Sequence, residues 1–125
     1  MTRDMDLIRE ILLDFEQNED LDGSTAIAGW EFGGYSKNAV EYHLALMAES
    51  GLIHTAPVNG AETSVLRLTS FGHDFLDSIR DPAIWQKTKD VAQNIGGLSL
   101  SLMADLANGL VKEQLKSRIE IQAAL

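Results

Sequence analysis

The stretch from Ser36 to Leu68 constrains this chain more than any other. It holds one run of helical periodicity closed by a glycine, then two short extended runs split by turn residues. Ser36 is a good N-cap, since its hydroxyl can accept from the free amides of a first helical turn. Val40, Leu44 and Met47 recur at i, i+4 and i+7, which puts them on one helical face. Ala39, His43 and Leu46 widen that face. Gly51 supplies the left-handed residue that ends a helix. Pro57 and the Asn59-Gly60 pair mark a turn. Val65, Leu66 and Leu68 suit the returning strand. The pattern predicts a helix over Ser36–Ser50 and a hairpin pairing Ile53–Ala56 with Thr63–Leu68. Thr69 or Ser70 would cap the next helix.

A helix followed by a short hairpin is the second half of a winged helix-turn-helix. The expected class is therefore α+β, mainly α: a winged helix with a hairpin or three-stranded sheet and further C-terminal helices. A helix from Lys37 to Glu49 is roughly 20 Å long, enough to lie in a major groove. Its outer side would carry Lys37, Asn38, Glu41, Tyr42 and Ala45. Asn38 can pair with adenine and Lys37 can meet a phosphate, with Arg67 reaching in from the wing. The bland alternative is an amphipathic helix with a solvated outer face.

Charge opposes the DNA reading. The 125 residues carry a net charge of −9, and DNA binding draws on Lys and Arg to neutralise phosphates. Between Ser24 and Thr69 only Lys37 and Arg67 are basic, against Glu31, Glu41, Glu49 and Glu62. An acidic protein of this kind can instead dock on a basic partner.

Before this stretch, Asp4 can cap a helix whose stripe is Met5, Ile8, Ile11, Leu12 and Phe15. Asp14, Glu16, Glu19, Asp20 and Asp22 then form an acidic knot. The run Asn18-x-Asp20-x-Asp22-Gly23 matches the start of an EF-hand loop, but its twelfth position is Gly29 where a bidentate Glu is needed. Trp30 and Phe32 suit a strand that could join the hairpin as a third member.

After it, Phe71, Phe75, Leu76 and Ile79 share a helical face. Asp81-Pro82 caps and starts the next helix, carried by Ile84, Trp85, Thr88, Val91, Ala92 and Ile95. Gly96-Gly97 ends it. Ser99 or Ser101 can cap the last segment. There Leu106, Leu110, Val111, Leu115 and Ile119 extend an apolar stripe begun at Leu102 and Met103, with Asn108-Gly109 as a weak point. The stripe outruns the core of a small domain, so it is a candidate dimerisation surface. Residues 1–81 would form the winged-helix core and 82–125 a helical extension of the same domain.

The residues show little catalytic chemistry. His43, His54 and His73 lack metal-ligand spacing, and no phosphate-binding glycine loop or nucleophile elbow occurs. No enzyme activity, metal or cofactor is expected. With no cysteine there is no disulfide framework. No apolar run spans a membrane and the N-terminus lacks a signal-peptide core, so a cytoplasmic location is the default expectation.

The run Arg3-Asp4-Met5-Asp6-Leu7-Ile8-Arg9, then Tyr42-His43-Leu44 with Gly51-Leu52-Ile53, then Gly72-His73-Asp74-Phe75-Leu76-Asp77 and Ile79-Arg80-Asp81 before Trp85 resemble one family. It is a family of small bacterial and phage proteins known as a domain of unknown function, and the resemblance spans nearly the whole chain. It implies a winged-helix-like fold and supplies no catalytic or binding residues. Two functions follow as expectations. One is a DNA-binding transcriptional regulator, paired through its last helix. The other is an acidic interaction module, or a DNA-mimic-like inhibitor on the same scaffold, that does not bind DNA.

Overall fold

The computed structural model describes residues 1–18, 32–58 and 62–124. The acidic knot beyond Asn18, the EF-hand-like run, the third strand expected around Trp30 and the Asn59-Gly60 turn lie outside the described residues. Within them the chain is α+β and mainly α. The order is α1 (Met5–Gln17), α2 (Lys37–Glu49), β1 (Ile53–Val58), β2 (Glu62–Leu68), α3 (Ser70–Ile79), α4 (Pro82–Ile95) and α5 (Leu100–Ala124). No helix among the described residues is long and apolar enough to cross a membrane. The chain divides into two compact units, Met1–Leu76 and Asp77–Leu125.

In the first unit Asp4 caps α1, its carboxylate accepting from the amides of Asp6 and Leu7. The buried stripe is Leu7, Ile8, Ile11, Leu12 and Phe15. Leu7 takes the place expected for Met5, which is only half-buried. Ser36 caps α2, with its Oγ accepting from Ala39 at 3.1 Å. Val40, His43, Leu44 and Met47 face inward. At the other end Gly51 adopts φ +77°. Leu52 donates to Met47 at 2.9 Å and Gly51 to Ala48 at 3.2 Å, the paired bonds of a Schellman closure.

The hairpin is longer than the sequence suggested, extending β1 through Pro57 to Val58. Its register carries a bulge. His54 pairs with Arg67 but Thr55 pairs with Val65, so Leu66 is the extra residue on β2. Strand side chains alternate faces, so residues three apart should point oppositely. The bulge removes that conflict, and both Val65 and Leu68 are buried while Arg67 is exposed.

Thr69 then ties α3 to the end of α2. Its amide donates to the Leu52 carbonyl at 3.0 Å and its hydroxyl donates to the Gly51 carbonyl. The same hydroxyl accepts from the Gly72 amide at 2.9 Å, which makes Thr69 the cap of α3. Phe71, expected on the inner face, is 37% exposed, with its ring edge-on to Phe75 at 6.2 Å.

In the second unit Asp81 caps α4, with Pro82 in its first turn. Gly96 at φ +94° and Gly97 at φ +114° end that helix. Ser99 caps α5 by accepting from Leu102 at 3.1 Å. Ile84, Trp85 and Ala92 of α4 are buried, as are Leu100, Met103, Ala104 and Ala107 of α5. Thr88 is buried too, its hydroxyl returned to the Ile84 carbonyl at 2.8 Å. Asn108-Gly109 does not interrupt α5. Asn108 accepts from Ser78, which anchors the helix there.

Candidate nucleic-acid interface

The outer face of α2 is defined by what holds its opposite side. His43 is 1% exposed, and both of its ring nitrogens are engaged. Nε2 accepts from the Asp4 amide at 2.7 Å, and Nδ1 contacts the Ala39 carbonyl at 2.7 Å. A carbonyl only accepts, so Nδ1 carries the proton and the ring is the neutral Nδ1–H tautomer. One imidazole thus joins α2 to the start of α1 and fixes the rotation of α2 about its axis. The sequence marked His43 as a core-side residue but held no sign of its partner 39 positions away.

With that rotation set, Lys37, Asn38 and Tyr42 all face out, Tyr42 being 38% exposed. They fall on one side of the helix at 3.6 residues per turn. The Tyr42 ring stands nearly perpendicular to His43, with centroids 5.6 Å apart and an interplanar angle of 83°. Glu41, half-buried, and Glu49, exposed, lie on this same side. Arg67 is on β2, exposed beside His54, and its guanidinium donates to the Leu68 carbonyl at 3.0 Å.

The electrostatics of the unit are acidic. Met1–Leu76 contains thirteen Asp and Glu against four Lys and Arg, whereas Asp77–Leu125 contains six of each. The whole net charge of −9 therefore belongs to the unit that carries α2 and the hairpin. Tyr35, two residues before Lys37, senses the same field. Burial raises its phenol above the ordinary value of 10.0, and Asp4, Glu10 and Asp6 push it further the same way. The acidic start of α1 thus lies close to the start of α2.

The apolar residues of α5 separate into two groups. Leu106, Leu110 and Val111 are half-buried, while Leu115 and Ile119 are 56% and 57% exposed. At 100° per residue, Leu106 and Leu110 fall on one edge of α5, and Val111, Leu115 and Ile119 on the other. Among the described residues no group of three or more His, Cys, Asp or Glu side chains is arranged to hold a metal ion.

Comparison with known proteins places the chain among relatives. A family model described as "Hypothetical protein (DUF2513)" matches residues 2–99. A protein of Haemophilus influenzae, described as an uncharacterized protein, is 32% identical over 119 residues, spanning 92% of this chain and 99% of the relative. No solved structure matches.

Proposed function

The chain belongs to the DUF2513 family, and we propose that within it Met1–Leu76 is a winged-helix unit that binds DNA. In this reading the chain regulates bacterial or phage genes from the cytoplasm. The reading is carried by one observation: a capped helix with Lys37 and Asn38 exposed in its first turn, followed at once by a hairpin with Arg67 exposed. In helix-turn-helix proteins the N-terminal residues of the reading helix contact base edges. Asn38 would bond an adenine edge, Tyr42 would pack against bases or sugar, and Lys37 and Arg67 would meet phosphates. The chain is read as a binding protein, not an enzyme. Among the described residues His54 and His73 are exposed and belong to no group of three or more metal-binding side chains, and His43 is spent on the fold.

Magnitudes limit this reading. Two phosphate contacts per copy give a salt slope of about −2, and about −4 for a pair. Such binding is weak unless base contacts and pairing add to it. A second reading follows from the charge: the acidic unit docks on a basic protein and leaves DNA alone. Fluorescence anisotropy against random and genomic DNA pools separates the two. DNA binding predicts retention at low salt, with Lys37→Ala flattening the salt slope by roughly one unit. No retention of any pool at low salt rejects the DNA reading in favour of the acidic docking module.

A further inference from the structure

The far half of α5 has no cover. Every residue from 112 to 123 is exposed, although Val111, Leu115 and Ile119 repeat at i, i+4 and i+8 as an apolar stripe. A helical segment of about twelve residues is marginal by itself in water, and most helical stability comes from packing such a stripe. The charges around it are sorted. At 100° per residue Lys112 and Arg118 fall about 60° to either side of Leu115, with Lys116 beyond Lys112. Glu113 and Glu120 fall on the far side. Two such stripes are poor partners for each other, because basic flank meets basic flank whichever way the helices run. A fitting cover carries acid beside an apolar centre.

The outer side of α2 has that pattern. Glu41, Ala45 and Glu49 repeat at the same spacing, so this row and the stripe are equally long, about 12 Å each. Ala45 is exposed at its centre, and the exposed Tyr42 ring lies beside it. Lys37 is the one basic side chain of α2 and sits at its first turn, beyond Glu41. Two such rows would set acid against acid, so α2 does not suit a second α2 either.

We propose that the Val111, Leu115 and Ile119 stripe of one copy docks on the Glu41, Ala45 and Glu49 row of a second copy. Charge complementarity selects that occupant. With Leu115 set on Ala45, Lys112 and Arg118 each fall beside one of Glu41 and Glu49, in parallel and in antiparallel alike. Tyr42 then falls beside Val111 or Ile119 and extends the apolar contact. The proposal does not depend on DNA binding.

Sedimentation of the full chain from low to high micromolar concentration tests it. The unmodified chain is expected to self-associate, less so at high salt. Lys112→Glu with Arg118→Glu should weaken association roughly tenfold or more, and so should Glu41→Lys with Glu49→Lys. The far-ultraviolet circular dichroism should stay unchanged in both. Joining all four substitutions in one chain should restore most of the association, which a merely damaged fold would not do. The chain has no cysteine, so single substitutions give a second readout. Under a short bismaleimide, a mixture of Leu115→Cys and Ala45→Cys chains should crosslink more than either variant alone. A chain monomeric throughout overturns the proposal. So does association that survives both charge reversals, a fourfold variant that stays dissociated, or Leu115→Cys crosslinking as well alone as in the mixture.

Discussion

Gly72 sits directly against the backbone carbonyl of Leu52: a Cβ at position 72 would overlap that oxygen. The obstacle is main chain, held by the Thr69 amide and by the turn that closes α2, so it cannot swing aside as a side chain would. Gly72→Ala should therefore destabilise the fold by about 1–3 kcal/mol or more, the range for forced overpacking. Gly109 is the control. It lies in α5, where an added methyl would meet nothing within 4 Å, and Gly109→Ala should stabilise by about 0.5–1 kcal/mol. Urea midpoints measure both, and a neutral Gly72→Ala would show that the two segments separate at little cost.

His43→Leu keeps the bulk of the ring but removes both hydrogen bonds. The part-buried Asp4 amide loses its partner, at a cost of about 1–3 kcal/mol. Amide exchange at Asp4 should rise more than exchange elsewhere in α1. If thermal unfolding and Asp4 exchange both match the unmodified chain, the imidazole does not hold α2 to α1.

Tyr35 predicts a loss of stability in alkali. Its folded-state phenol titrates above 10.0 because burial, then Asp4, Glu10 and Asp6, disfavour the anion. The unfolded chain therefore releases this proton first. The contribution is whole below about pH 10 and declines as pH rises through the raised folded value. Tyr35→Phe should flatten the stability profile above about pH 10 and leave neutral pH nearly unaffected. Chemical denaturation across that range is the measurement, and an identical alkaline slope in both proteins refutes the assignment.

Glu41 lies on the same side of α2 as Lys37, one turn on. If α2 reads DNA, Glu41→Lys removes a repulsion and adds a phosphate contact. Low-salt affinity should rise, and the salt slope should steepen by about one unit. An unchanged slope would mean that this side of α2 does not face the duplex.

Local chemistry was legible in the sequence. Asp4, Ser36, Asp81 and Ser99 cap where their side chains can reach free amides, and Gly51 and Gly96 end helices where a left-handed residue is needed. Contacts between distant segments were not. Nothing near His43 in the sequence points to Asp4, and nothing around Gly72 names the Leu52 carbonyl. Periodicity put Phe71 on a shared helical face and Val91, Ile95 and Leu102 in apolar stripes, but all four are exposed, because it reports which residues share a face and not whether another element covers that face. Met5 and Leu7 show the same limit at a helix start, where a small change of phase moves the buried edge. Of the candidate reading residues, Lys37, Asn38 and Tyr42 could be placed together because they share one helix. Arg67 could not, since its outward direction depends on the bulge at Leu66.

That bulge has a genetic consequence. His54 faces Arg67 and Thr55 faces Val65, so removing Leu66 leaves every other pair of the hairpin in its present register. Val65, Arg67 and Leu68 would then alternate inward, outward, inward as an unbroken strand does. Deleting almost any other strand residue turns the following side chains to the wrong face. An in-frame loss of the Leu66 codon is the length change β2 tolerates best, and among relatives of differing length it is the first place to expect a gap.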